Sequence, residues 1–331
     1  MFAILWAVLC CLFSVSIGNA ASGVVTETVD YRGWKDAVRL SNGTVDIVVV
    51  PSIGRVMRYG FLGGPNLLFE NDSLVGKPGD PRGWLQGVWT NFGGDKVWPW
   101  PQDDWGKRMA QDWPPPPAID QSPYHVERIG PDAIRLTSSP VVGFGVRCVR
   151  EIRLEPRGTR VVLVNRFEKI SDGHAFPLAV WTITQIPDAP QVWVRLPHET
   201  PLAGGYRLLG DAPRSVQRTQ DRLLRVTPDP DKASKIGCDG DVLATLSGDT
   251  LFTVRFLPSA DNTGGRTEPG ERAQVWHNPP DPRYIELELT GPQKTLRKGE
   301  TISLTTRFEA IRLPENRRDE AAVAAAIRGQ D

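Results

Sequence analysis

The chain has 331 residues, 39 basic and 39 acidic side chains and 40% apolar residues, the profile of an ordinary globular protein. A formal net charge of zero, with both signs intermixed, removes the long-range attraction that non-specific nucleic-acid or anionic-membrane binding requires. Gly (32) and Pro (29) together exceed the usual ~12% without a collagen period, which favours many short strands over long helices, a coiled coil or a disordered tail.

Residues 1–20 carry no charge, and 2–17 are almost continuously apolar. Gly18-Asn19-Ala20 places small residues at the −3 and −1 positions of a cleavage site. The segment therefore reads as a signal peptide cut after Ala20, although it lacks the usual basic start. An uncleaved anchor is the alternative, but the apolar run is short for a comfortable span. The expected mature protein is periplasmic or secreted, with no membrane association after cleavage. Cys10 and Cys11 lie in the leader, which leaves Cys148 and Cys238. Val146, Cys148, Ile152 and Leu154 alternate onto one strand face, so Cys148 points into a core. A disulfide to Cys238 and two buried thiols both fit.

Strands are expected at 37–40 and 45–50, flanking Ser41-Asn42-Gly43-Thr44, a hairpin signal. Another covers 55–61. From 71 to 121 regularity stops, and the segment reads as one long Trp- and Pro-rich loop. Strands resume at 124–128, 133–137, 146–154, 160–167, 178–186 and 192–196. They continue at 223–226, 243–246, 251–256, 273–277, 284–289 and 301–311, and 318–328 reads as a short helix. With no internal repeat and no linker, 21–331 is expected to be one all-β domain, an antiparallel sandwich with one short C-terminal helix. Phosphate loops, G-x-S-x-G, H-E-x-x-H and dinucleotide-binding glycine patterns are absent, so no cofactor is expected.

The long loop carries the most chemistry. Six of eleven tryptophans fall between 84 and 113: Trp84, Trp89, Trp98, Trp100, Trp105 and Trp113. Asp95, Lys96, Gln102, Asp103, Asp104 and Asp112 are interleaved with them, followed by four prolines. A loop of this length is functional or disordered, and its tryptophans argue against disorder. Flat indoles beside fixed polar groups suit a pyranose, whose C–H face lies on a ring while its hydroxyls seek carboxylates, amides and ammonium groups. The competing reading is that the indoles plug one end of the sandwich. The spacing of Asp95, Asp103 and Asp104 is not that of a calcium loop, and no metal is expected.

In the run from Tyr284 to Leu289, Ile285, Leu287 and Leu289 share the core face. Tyr284, Glu286 and Glu288 share the other, with the two carboxylates about 7 Å apart by strand geometry. Repulsion and partial burial there would raise one pKa, as general acid–base work requires. A solvated face paired with arginines such as Arg55 is the alternative. His277, next to Trp276, is a candidate to reach the same face, and His174 precedes the strand carrying Trp181 and Gln185.

Several motifs resemble known ones. VVVPSIGRVMRYGFLGGPNLLFEN (48–71) is similar to the opening of galactose-mutarotase-like proteins. GGDKVWPWPQDDWGKRMAQDWPPPP (93–117) resembles an uncharacterised family of bacterial exported proteins, a domain of unknown function in that superfamily. AVWTITQIP, SKIGCDG and YIELELTGPQKTLRKGETISL extend the likeness over most of 35–312. The resemblance implies a β-supersandwich with a sugar-sized cleft on its concave face. It implies a late-strand glutamate as base, here Glu286 or Glu288, and an early arginine, here Arg55. The mid-chain strand that supplies an acidic histidine in mutarotases reads Ala179 to Gln185 here and has none.

The leading reading is thus an exported protein with a cleft for a mono- or oligosaccharide. Its site is drawn from Arg55, Asp95, Lys96, Trp98, Gln102, Trp105, Trp181, Gln185 and His277, with Glu286 and Glu288 as the catalytic candidates. The alternatives are a mutarotase- or epimerase-type acid–base enzyme, and a structural protein using the Trp loop as plug or interface.

Overall fold

The computed structural model describes residues 23–173, 175–219, 221–258 and 267–329. The expected leader and His174 lie outside them. Two antiparallel sheets stack on each other. The first runs, in spatial order, Val25–Tyr31, Trp34–Ser41, Val45–Val50, Arg55–Phe61, Asp95–Trp100, Pro177–Pro187, Tyr284–Thr290, Ala273–Asn278, Ser234–Cys238 and Arg207–Leu208. Lys294–Thr295 pairs with the start of Pro177–Pro187. The second runs Ser215–Arg218, Leu223–Thr227, Val192–Arg195, Val242–Ser247, Thr250–Leu257, Thr301–Arg312, Val161–Lys169, Val146–Leu154, Ala133–Thr137 and His125–Arg128.

Local chemistry sets the turns and ends. Asn42 Oδ1 accepts from the amides of Thr44 and Val45 (3.0 and 3.1 Å), closing the first hairpin over Gly43 at φ 81°. The C-terminal helix Glu320–Arg328 starts at Asp319, whose side chain accepts from Ala322 N. Its buried Val323, Ala324 and Ile327 pack on Trp193, Leu223, Val242 and Leu251, covering the outer face of the second sheet. Among the described residues no helix is long and apolar enough to cross a membrane.

Between the sheets lies an apolar core that encloses an ion pair. Arg150, from the second sheet, pairs with Asp95 in the first, and Thr184 Oγ1 donates to the same carboxylate at 2.8 Å. Arg150 also donates to Asn165 Oδ1 (2.9 Å) and to the carbonyls of Asp95 and Gly54 (3.1 and 3.2 Å). Cys148 and Cys238 are both free and buried, one in each sheet, with no disulfide between them. Burial pushes their thiols up to about 11 and about 12, so neither is a ready nucleophile.

The 71–121 segment corrects the loop expectation. It holds two short helices, Pro81–Leu85 and Pro117–Asp120, and between them the strand Asp95–Trp100, central in the first sheet. Pro99 made this stretch look unlike a strand. The structure shows why it is tolerated: beyond Val56–Asp95 the strand pairs on one side only. The Pro99 carbonyl turns to the open side and accepts from Trp105 Nε1 at 2.9 Å. A strand residue points its backbone N and O the same way, so no ladder bond is lost. Gly93 and Gly94 (φ 95° and 72°) admit the strand, since a Cβ there would stand 2.2 and 2.3 Å from the carbonyl oxygens of Phe69 and Val56.

Candidate functional site

Strand register divides the candidate residues between the two faces of the first sheet. Lys96 lies opposite Ile183, which lies opposite Glu288; Trp98 lies opposite Trp181. Gln185, Glu286, Trp276 and Lys235 stand abreast on four adjacent strands. All these side chains share the face turned away from the second sheet. The tryptophan segment and the late glutamates therefore meet: Lys96 Nζ donates to Glu286 Oε1 at 3.0 Å, across 190 positions of sequence.

Over this face lies a cavity of about 360 Å³. Five indoles wall it, from Trp89, Trp98, Trp113, Trp181 and Trp276, with Gln102, Lys235, Asn278, Tyr284 and Glu286 as its polar groups. The rings meet edge to face: Trp98 stands 5.7 Å from Trp89, 5.8 Å from Trp113 and 5.4 Å from Trp181. Such contacts fix orientation beyond simple burial.

Asp120 anchors two of the rings. Its Oδ1 accepts from Trp98 Nε1 (2.7 Å) and its Oδ2 from Trp89 Nε1 (2.9 Å). Arg55 completes the cluster, donating from Nη2 to Asp120 Oδ1 (2.7 Å) and from Nη1 to Gly93 O (2.8 Å). The guanidinium is fully buried, so Arg55 supports the aromatic wall from behind and does not line the cavity. Trp105 is likewise fully buried and stacks at 6.2 Å on Trp113, the more exposed ring. Trp105 plays the plug that one reading assigned to the whole segment.

The two glutamates occupy different environments. Lys96 Nζ and Gln185 Nε2 both donate to Glu286 Oε1, at 3.0 and 2.8 Å. The Glu286 side chain keeps 9% exposure on the cavity wall, which leaves Oε2 as the oxygen open to a ligand. Lys96 is fully buried, 4.9 Å from the Trp98 ring centre and 5.5 Å from that of Trp89. Burial pulls its ammonium below the usual lysine range, against the attraction of Glu286. Lys96 thus acts on the cleft through Glu286.

Glu288 is fully enclosed; Trp181 Nε1 and Lys235 Nζ both donate to its Oε2 at 3.0 Å. Burial raises its pKa above the ordinary glutamate value of 4.5, with the Lys235 charge opposing. A raised folded-state pKa means that folding takes up a proton. The associated stability is full below 4.5 and is lost as pH rises through the folded value. Glu288→Gln keeps an acceptor and removes the titration. The variant is expected to lack the Glu288 share of the pH dependence, a loss of stability of at most about 1.4 kcal/mol per pH unit above 4.5. Urea melts from pH 4 to 8 measure it, and parallel curves for the two proteins would refute it.

Two expected site residues lie on the other face. Asp95 is one residue out of phase with Lys96 and points into the core, onto Arg150 and Thr184. His277 is out of phase with Trp276 and lies opposite Ile285. Its Nδ1 is 3.2 Å from Lys232 O and its Nε2 3.6 Å from Asp188. Six lining residues stood outside the expected site: Trp89, Trp113, Lys235, Trp276, Asn278 and Tyr284. Trp276 and Asn278 share a strand parity that was readable; Lys235 sits on a strand whose glycine and serine hid it. Among the described residues no group of three or more His, Cys, Asp or Glu is placed to hold a metal ion.

No family model matches the chain, and no curated protein matches its sequence. Solved structures do match it. A galactose mutarotase-like protein from Lactobacillus casei ATCC 334 aligns with TM-score 0.54 and 9% identity over 83% of this chain and 100% of that one. A candidate mutarotase from Salmonella typhimurium gives 0.52 and 10% over 88% and 95%. A candidate aldose 1-epimerase from Escherichia coli K12 gives 0.51 and 11% over 88% and 99%. The shared property is the fold: the chain is a galactose-mutarotase-like β-sandwich.

Proposed function

We propose that the protein is an exported carbohydrate-recognising protein, with residues 21–331 acting as one domain and the indole-walled cavity as the sugar site. The observation that carries this reading is the row Glu286–Trp276–Lys235. Adjacent strands lie ~4.8 Å apart, so Glu286 and Lys235 flank the Trp276 indole with their Cα atoms about 10 Å apart. A pyranose stacked on Trp276 would place opposite edges against a carboxylate and an ammonium. Gln102 and Asn278 add amides at the rim.

Trp276→Ala is expected to weaken sugar affinity by about 1.5–3 kcal/mol, the scale of losing one large apolar contact. Quenching of tryptophan fluorescence by neutral aldoses, with calorimetry for the variant, measures this. Unchanged affinity would sink the platform. Export is checked by N-terminal sequencing of protein from an exporting host, expected to begin at Ala21.

The same row favours a second reading, acid–base chemistry at a sugar carbon. Glu286 would be the base. Lys235 is the cationic proton donor on the cavity wall, and it would take the part for which the Pro177–Pro187 strand offers no histidine.

A further inference from the structure

The cavity does not end at Lys235. A second one, of about 320 Å³, opens on the other side of Gln102 and Lys235, which line both. Each volume falls at the low end of the roughly 300–1,000 Å³ typical of small-molecule sites. The second compartment repeats the first in composition, with a half-buried indole, Trp100, beside Pro101 and Leu209, and a polar wall of Arg207, Glu271 and Gln274.

Among the described residues, two atoms of that wall lack partners. Gln274 is fully buried, and its Nε2 donates to Glu271 O at 3.3 Å, yet its Oε1 has no hydrogen-bond partner among the described residues. Arg207 Nη2 bonds Glu271 at 3.2 Å, while its buried Nε has none. An unpaired buried acceptor and an unpaired buried donor are each costly. Hydroxyl groups, which both donate and accept, meet both needs. Charge narrows the ligand further. Arg207 is paired with Glu271 and Lys235 with Glu288, while Asp103 adds a negative charge to the rim. No surplus cation is left for a uronate or a sulfate.

Resting on the sugar reading of the first cavity, we propose that the cleft takes a neutral glycan of at least two pyranose units. One unit lies on Trp276 and the next beside Trp100, its hydroxyls against Gln274 and Arg207.

Calorimetry with neutral hexoses, their di- and trisaccharides, and a disaccharide ending in a uronate tests this. The expected result is at least tenfold tighter binding of a neutral disaccharide than of its constituent hexose. Trp100→Ala and Arg207→Leu should each cut disaccharide affinity fivefold or more while leaving hexose affinity within twofold. Retained hexose binding also reports that the variants are folded. Equal affinity for hexose and disaccharide, or equal losses for both in the variants, overturns the second subsite and leaves the sugar reading standing. Tighter binding of the uronate overturns the neutral class. Binding of none of these overturns both readings.

Discussion

Replacing Arg150 by methionine is expected to cost about 3–5 kcal/mol of unfolding free energy, because it leaves the Asp95 carboxylate buried without its counter-charge. Asp95 has no route to water: it lies between the sheets, held otherwise by Thr184 Oγ1. The Arg150 fork also ties the carbonyls of Asp95, in the first sheet, and of Gly54, in the turn before Arg55–Phe61, to Asn165 of the second sheet, so these acceptors lose donors too. The double variant Asp95→Leu/Arg150→Met removes both charges and is expected to recover most of the loss, since an apolar replacement of a buried pair is often close to neutral. Urea unfolding of the single and double variants gives the coupling. If Arg150→Met alone costs less than about 1 kcal/mol, the pair does not fasten the sheets, the scale of an ordinary surface change being smaller still.

Glu286→Gln carries the second large effect. If the cleft performs acid–base chemistry, the amide removes the base while keeping size and one acceptor oxygen. Anomer interconversion followed by polarimetry or NMR should then slow by ~10²–10⁴, the usual contribution of one general acid–base group. Sugar affinity should stay within a few-fold, because Trp276 and the surrounding indoles remain. Full turnover in this variant would exclude Glu286 as base. Glu288 is no substitute, being sealed beneath Trp181 and Lys235. Wild-type protein that binds sugars and accelerates nothing would favour the recognition reading over the catalytic one.

The architecture was legible because strand periodicity is a two-residue signal repeated many times. The run 55–61 and the Asn42-Gly43 hairpin emerge as read, and the C-terminal helix starts two residues later than expected. What failed was the reading of strands that break the compositional rule. Asp95–Trp100 contains a proline and four polar or aromatic residues, and by composition it reads as part of the loop. That omission carried a second error. Asp95 and Lys96 were placed together as ligands, whereas strand alternation sends them to opposite faces, one to the core and one to the cleft. His277 failed by the same parity against Trp276. The meeting of Lys96 with Glu286 rests on tertiary pairing of distant strands, which no local pattern encodes. Lys235 was hidden because Ser234–Cys238 carries a glycine and a single β-branched residue, Ile236, too few to mark a strand.

The shared attachment of Trp89 and Trp98 to Asp120 has a consequence for how this site can diverge. The two indoles hang from opposite oxygens of one carboxyl group, itself gripped by Arg55, so tilting either ring drags the other. Ligand preference is therefore hard to retune on that side of the cleft by single substitutions. Changes in what the cleft accepts should accumulate instead at Trp113 and Trp276, which Asp120 does not restrain, while the tethered pair and its acid change together or stay put.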